Sequence, residues 1–311
     1  MEPWPSLCVV IFSLFVFNIS RRRNPLTCWR DLANKTQVCK PACPKGTFSI
    51  VGMDHCHPYL TCAEIATIRV VRSIGGGAVK KVYKAEWKGY TVALSTLSDP
   101  RLERDFQHNI EMHRELGDPN LTVDYLGSCE KILVTEFFEL GSAANLQTLW
   151  AGPLREYDTV TQRLALCVGY VAILAHLHAN HRVMCDSNWL PKILSQYLLR
   201  SDLSLRVNDL DALPSASSAK VRCGRDPLQG DLLAPEQRTA RGCDTQCDTW
   251  KVPTVCLWFL GNGRESEALK FRLFAIHRLC KATEPGQRPT ARVLLWHYAR
   301  MLREMDTHGA T

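Results

Sequence analysis

The chain has 311 residues, enough for one two-lobed domain with a short extension. With 46% hydrophobic and 22% charged residues it has the make-up of a globular protein with a core, which excludes a disordered or fibrous chain. The net charge of +7 is modest and spread along the chain, so we expect a solvated basic surface and no nucleic-acid partner.

In chain order, the first signal is an apolar run from Leu7 to Phe17, followed by Arg21, Arg22 and Arg23. The run is shorter than the roughly 20 residues that span a bilayer comfortably, and the arginines behind it would draw the downstream chain toward the cytosol. Residues 1–24 are read as a signal or membrane anchor, and 25–64 as a small stem holding Cys28, Cys39, Cys43, Cys56 and Cys62. No CxxC spacing occurs among these five and no His-x-x-x-His accompanies them, which disfavours zinc and favours disulfides in an oxidising compartment. Cys243 and Cys247 read as a second local pair or as free thiols. Three sequons, at Asn18, Asn34 and Asn120, agree with a secretory route. Cysteines and sequons count over the whole chain, so they outweigh the charge behind the apolar run, and the expected side is lumenal.

From about Ile68 the pattern becomes strand-like, with runs at 69–74, 81–86, 91–94 and 131–135 separated by turn signals. A helix is predicted over 104–116. The later chain carries wide apolar helical faces over 162–178, 269–279 and 291–302. The fold class is therefore α+β and two-lobed: residues 65–305, with a strand-rich lobe of about 65–141 and a helical lobe of about 142–305.

Gly75-Gly-Gly77-Ala-Val-Lys80-Lys81-Val82 lies between two predicted strands and has the glycine-rich form that covers nucleotide phosphates, with lysine in place of the third glycine. Glu136 and Phe138 lie in 134–142, which resembles a hinge whose backbone meets an adenine. Asp186 stands at the aspartate of a His-Arg-Asp triplet, with Met184 and Cys185 in the first two places. Asn208-Asp209-Leu-Asp211 stands where Asp-Phe-Gly is usual, Ala234-Pro-Glu236 matches Ala-Pro-Glu, and Asp248 and Arg288 fall where a kinase large lobe has them. Each element is weak alone, but their common order points to a protein-kinase-like fold using ATP and Mg²⁺.

Phosphoryl transfer needs a carboxylate to orient the acceptor hydroxyl and take its proton, and Asp186 is the candidate. It needs hard oxygen ligands for Mg²⁺, and Asp209 is the first choice. Five residues after Asp186 stands Pro191 where asparagine is usual; aligning the next strand instead brings Gln196 to that place, with Asn188 as the fallback. The third strand reads Val92-Ala-Leu-Ser95, with serine in the place of the phosphate-binding lysine, and Asn109 stands where its glutamate partner would be. Lys80 or Lys81 would supply the missing cation. Strand alternation puts Lys80 on the face of Val82, toward the nucleotide, so Lys80 leads and Lys81 is the alternative.

The segments 77–82, 92–95, 182–188, 190–199 and 208–214 together resemble the protein O-mannose kinase family, and the resemblance runs from about Cys43 to Leu302. It implies a single-pass type II membrane protein of the endoplasmic reticulum with a lumenal catalytic domain. It implies transfer of the ATP γ-phosphate to the 6-hydroxyl of O-linked mannose in a GalNAc-GlcNAc-mannose glycan on α-dystroglycan. The chain between Glu236 and Asp248 is shorter than the family pattern, in a region that borders the acceptor site. An inactive kinase-fold scaffold is the alternative from another class; retention of Asp186 and Asp209 beside a relocated lysine favours the enzyme. An ordinary protein kinase is disfavoured by the lumenal setting.

Overall fold

The computed structural model describes residues 24–223, 229–239 and 242–308; the apolar run at 7–17 and the sequon at Asn18 lie outside them. Two short antiparallel ribbons come first, β1 (Leu26–Asp31) with β2 (Thr36–Pro41) and β3 (Thr47–Phe48) with β4 (His57–Pro58). Disulfides Cys28–Cys39 and Cys43–Cys56 close them. A one-turn helix, α1 (Cys62–Ile65), follows; Thr61 and Glu64 form a reciprocal capping box at its start.

The small lobe is built on an antiparallel sheet of β5 (Arg69–Gly76), β6 (Lys80–Trp87), β7 (Tyr90–Leu97), β8 (Tyr125–Cys129) and β9 (Ile132–Glu136), in the order β5-β6-β7-β9-β8. Between β7 and β8 runs α2 (Glu103–Glu115), which buries Phe106, Asn109, Ile110, Met112 and His113. The helical spacing expected over 104–116 is thus realised within a residue at each end.

Residues 25–64 do not stand apart as a stem. Phe48, Ile50, Met53 and Leu60 share one core with Trp87, Val92, Leu126 and Val134 of the sheet, and Cys62–Cys129 fastens α1 to β8. The β1–β2 ribbon bridges both lobes. Trp29 Nε1 donates to Ser201 Oγ at 2.9 Å, while Lys40 Nζ donates to Asp124 and Glu136 at 2.7 Å each. These few apolar anchors were hidden among cysteine, proline and polar residues.

The large lobe begins with α3 (Leu146–Ala151) and α4 (Val160–Ala179), whose first turn is capped by the Thr159 hydroxyl. Next come α5 (Leu190–Ser195), the ribbon β10 (Tyr197–Leu199) with β11 (Leu205–Val207), and the helices α6 (Gln246–Leu260), α7 (Arg264–Cys280) and α8 (Ala291–His308). Among the described residues α4 alone is long and apolar enough to cross a bilayer. Its Leu164, Leu166, Tyr170, Val171, Ile173, Leu174 and Leu177 are buried in the lobe core, against α6 and α8, as in the core helix of a soluble domain.

Candidate active site

A cleft of about 570 Å³ lies between the lobes, lined by the β5–β6 hairpin, the 136–139 link and the loops around Asp186 and Asp209. At its roof, Gly77 N–H donates to Lys80 O at 2.8 Å, which closes the hairpin. A Cβ added at Gly75 or Gly77 would meet no atom within 4 Å, so both glycines face open space. Val82 and Ala93 form one apolar wall, with Phe138 on the link. Glu136 lines the cleft too, but its carboxylate is held by Lys40 and its N–H by Asp124 O at 3.0 Å. Its side chain is therefore committed to the β1–β2 ribbon.

Lys80 and Lys81 part as strand alternation requires. Lys80 is only 8% exposed and lines the cleft, whereas Lys81 is exposed. Lys80 Nζ lies 2.8 Å from Asp209 Oδ1 and donates to Asn109 Oδ1 at 3.4 Å. That Asn109 oxygen also accepts the backbone N–H of Leu210 at 3.0 Å, so α2 holds the lysine and the 208–211 loop together without a carboxylate. Ser95 is buried directly across from Val82 in the β6–β7 register, leaving the third strand no cation of its own.

On the floor, Asp186, Asp209 and Asp211 each offer a carboxylate oxygen within 4.8 Å of the others. Burial pushes the Asp209 carboxyl up, but Lys80 and Lys192 outweigh it and hold it well below the usual carboxylate range. Burial and the neighbouring Asp209 charge push Asp211 up to about 7. Lys192 Nζ reaches Asp186 Oδ2 at 2.7 Å and Asp209 Oδ2 at 3.4 Å. Gln196 is 1% exposed; its Nε2 donates to Asp186 O and its Oε1 is buried without a partner. Asn188 is turned toward the 229–232 segment, donating to Gln229 O at 2.5 Å and accepting from Leu232 N at 3.1 Å.

The loop under Asp186 is fixed from below. Asp248 Oδ2 accepts the Met184 N–H at 2.9 Å and bonds His178 Nε2 at 3.1 Å. The buried Lys251 ammonium donates to Met184 O at 3.1 Å and to Ser187 Oγ, and pairs with Asp248. Farther out, Arg288 grips Glu236 in a two-armed pair at 2.6 and 2.9 Å.

No protein-family model matches the chain. Among named proteins it is similar to the protein O-mannose kinase of Macaca fascicularis, 41% identical over 294 residues, 87% of this chain and 84% of that protein. It is similar also to the protein O-mannose kinases of Homo sapiens, 41% identical over 282 residues, 84% of this chain and 80% of that protein, and of Xenopus laevis, 37% identical over 342 residues, 97% and 96%. The chain belongs to the protein O-mannose kinase family. A leucine-rich repeat receptor protein kinase of Oryza sativa subsp. japonica, 26% identical over 274 residues, covers 71% of this chain and is matched over 20% of its own length. That distant likeness agrees with the kinase-like order of a strand-rich lobe before a helical one.

Within this family member, two cleft residues escaped the sequence reading. Lys192 lies in the 190–199 segment, where the insertion after Asp186 hides its register. Asp211 stood beside Asp209, and only its burial against Asp209 and Asp186 reveals a third carboxylate.

Proposed function

We propose that this chain transfers the γ-phosphoryl group of ATP, held with Mg²⁺, to the 6-hydroxyl of O-linked mannose. The acceptor we assign is the GalNAc-GlcNAc-mannose glycan on α-dystroglycan. The observation that carries the catalytic part is the cation–carboxylate cluster of Lys80, Lys192, Asp186 and Asp209 beneath the glycine hairpin. Its two carboxylates, that of neighbouring Asp211 and the unpartnered Gln196 oxygen are hard oxygen donors of the kind Mg²⁺ takes. Asp209 and Gln196 would hold the ion, with Asp211 joining Asp209. When bound, Mg²⁺ screens the phosphate charge so that an oxygen nucleophile can approach.

The chain's own groups then divide the work. The backbone of 136–138 and the ring of Phe138 receive the adenine, and Gly75 and Gly77 let the hairpin close over the phosphates. Lys80 offers its ammonium to phosphate oxygens, with Asn109 fixing its position. Asp186 orients the mannose hydroxyl and accepts its proton as the new O–P bond forms. Lys192, already against Asp186, is within reach of the charge that develops on the transferred group.

We assign the catalytic domain to the lumenal side of the endoplasmic reticulum membrane, anchored by residues 1–24 as a type II protein. The five disulfides among the described residues and the sequons at Asn34 and Asn120 support that side. The decisive assay uses purified chain, ATP with Mg²⁺ and a β-linked GlcNAc-mannose acceptor. Transfer should occur with wild type and fall at least about 1,000-fold in Asp186→Ala, the scale lost with a general base that also orients the nucleophile. Transfer that survives this substitution rules Asp186 out as the base.

A further inference from the structure

Around Asp186 the chain is tied into a closed circuit. Cys185, the residue before it, is disulfide-bonded to Cys223. Two residues from Cys223, Val221 exchanges both backbone hydrogen bonds with Cys243, at 2.7 Å each. Cys243 is disulfide-bonded to Cys247 on α6. The next residue, Asp248, accepts the N–H of Met184, which precedes Cys185. Two covalent bonds, one strand-like pair and one charge-assisted hydrogen bond thus return the chain to its starting point. The four cysteines pack with Val183 and Ala234 in one buried apolar cluster.

The same loop is laced to the 212–216 segment by backbone bonds. Cys185 N–H donates to Ala212 O at 3.2 Å, Val183 N–H to Pro214 O at 3.3 Å, and Ala216 N–H to His181 O at 2.8 Å. The carboxylate of Asp186 therefore rides on a loop held on one side by the segment leading from Asp211 and on the other by α6.

We propose that the Cys185–Cys223 and Cys243–Cys247 disulfides are positioning elements for phosphoryl transfer, so that oxidation, and not phosphorylation, fixes residues 212–223 against the loop that carries Asp186. The proposal rests on the phosphoryl-transfer reading above. In the His-Arg-Asp pattern the residue before the aspartate is a cation, which can capture a phosphate added to this segment. A cysteine at that place carries no charge for a phosphate to meet. It replaces a reversible ion pair by a bond that breaks only by thiol exchange. A thiolate of a dithiol reductant attacks one sulfur and forms a mixed disulfide, releasing the other cysteine as thiolate. The second reductant thiol then resolves the mixed disulfide, leaving two protein thiols and an oxidised reductant.

The test uses the full chain with three paired variants: Cys185→Ser with Cys223→Ser, Cys243→Ser with Cys247→Ser, and, as a remote control, Cys43→Ser with Cys56→Ser, whose disulfide closes the β3–β4 region away from the cleft. The first pair should lose about 10- to 100-fold in kcat while KM for ATP stays within about twofold, as for displacement of a reacting group by an ångström or less. The second pair should lose kcat in the same direction, and the control should keep it. A folded first pair with wild-type kcat overturns the proposal. If that pair does not fold, wild type titrated with dithiothreitol decides. Activity should fall in step with alkylation of Cys185 and Cys223 read by mass spectrometry and return on reoxidation; a loss that follows a different disulfide overturns it. Phosphatase treatment of wild type should leave kcat unchanged, and a drop would return control to phosphorylation. If wild type transfers no phosphate to the glycan, the functional reading fails by itself. Hydrogen exchange over 212–223 then still tests the tie: it should quicken when Cys185–Cys223 is reduced, and unchanged protection refutes it.

Discussion

Lys80 stands in for the strand lysine of a conventional kinase cleft, and Asn109 on α2 for its helix glutamate. It faces Asp209 directly at 2.8 Å and is steadied by a neutral amide, Asn109, at 3.4 Å. A buried glutamate at that place would compete with Asp209 for Lys80, so an uncharged acceptor is the consistent partner. Lys80→Ala should lower kcat/KM about 100-fold or more, the scale of losing one preorganised charge at a developing oxyanion. Lys81→Ala, on the exposed face, should stay within about twofold of wild type. Steady-state kinetics at varied ATP separates the two, and equal losses would refute the assigned strand register. The alternation that distinguishes these lysines was readable from sequence because side-chain direction in a strand has a period of two. Lys192 was not readable, because an insertion breaks the spacing between Asp186 and the next strand.

At the scale of elements, the β1–β2 ribbon decides how the link between the lobes is held. Lys40 is buried between Asp124 and Glu136, with both contacts at 2.7 Å, and its ammonium pKa is raised because the two carboxylates outweigh the cost of burial. Truncating it leaves two carboxylates facing each other, and removing one partner of a buried pair typically costs about 3–5 kcal/mol. Lys40→Ala should therefore lower the urea midpoint and raise KM for ATP, because Glu136 belongs to both the ribbon contact and the wall of the cleft proposed to hold the nucleotide. An unchanged midpoint would show that this contact is not maintained in solution. Cysteine content announced the ribbon's staples, but the pairing of Cys62 with Cys129 across 67 residues needed the fold.

For the molecule as a whole, stability should fall on the acid side through its buried histidines. Burial, with Lys281 nearby, lowers the His277 pKa from 6.5 to about 4, and the ring bonds Tyr298 Oη. Between these two values the unfolded chain binds a proton that the folded chain refuses, so stability declines as pH falls from 6.5 to 4 and shows no slope from this group above 6.5. The decline is at most about 1.4 kcal/mol per pH unit for one histidine. His277→Gln should flatten that limb in denaturant titrations at stepped pH; an identical slope would exclude His277 as its source. Sequence by itself carried the order of the two lobes, and it is the source of the roles proposed for Asp186, Asp209 and Lys80. These are local signals, fixed by residue type and by the short periods of strand and helix. Only the tertiary structure decided that residues 25–64 join the small lobe, that Asp211 and Lys192 enter the cleft, and that four cysteines close a circuit around Asp186. Each of these depends on contacts between segments far apart in the chain, and neither spacing nor periodicity encodes which distant surface a side chain will meet.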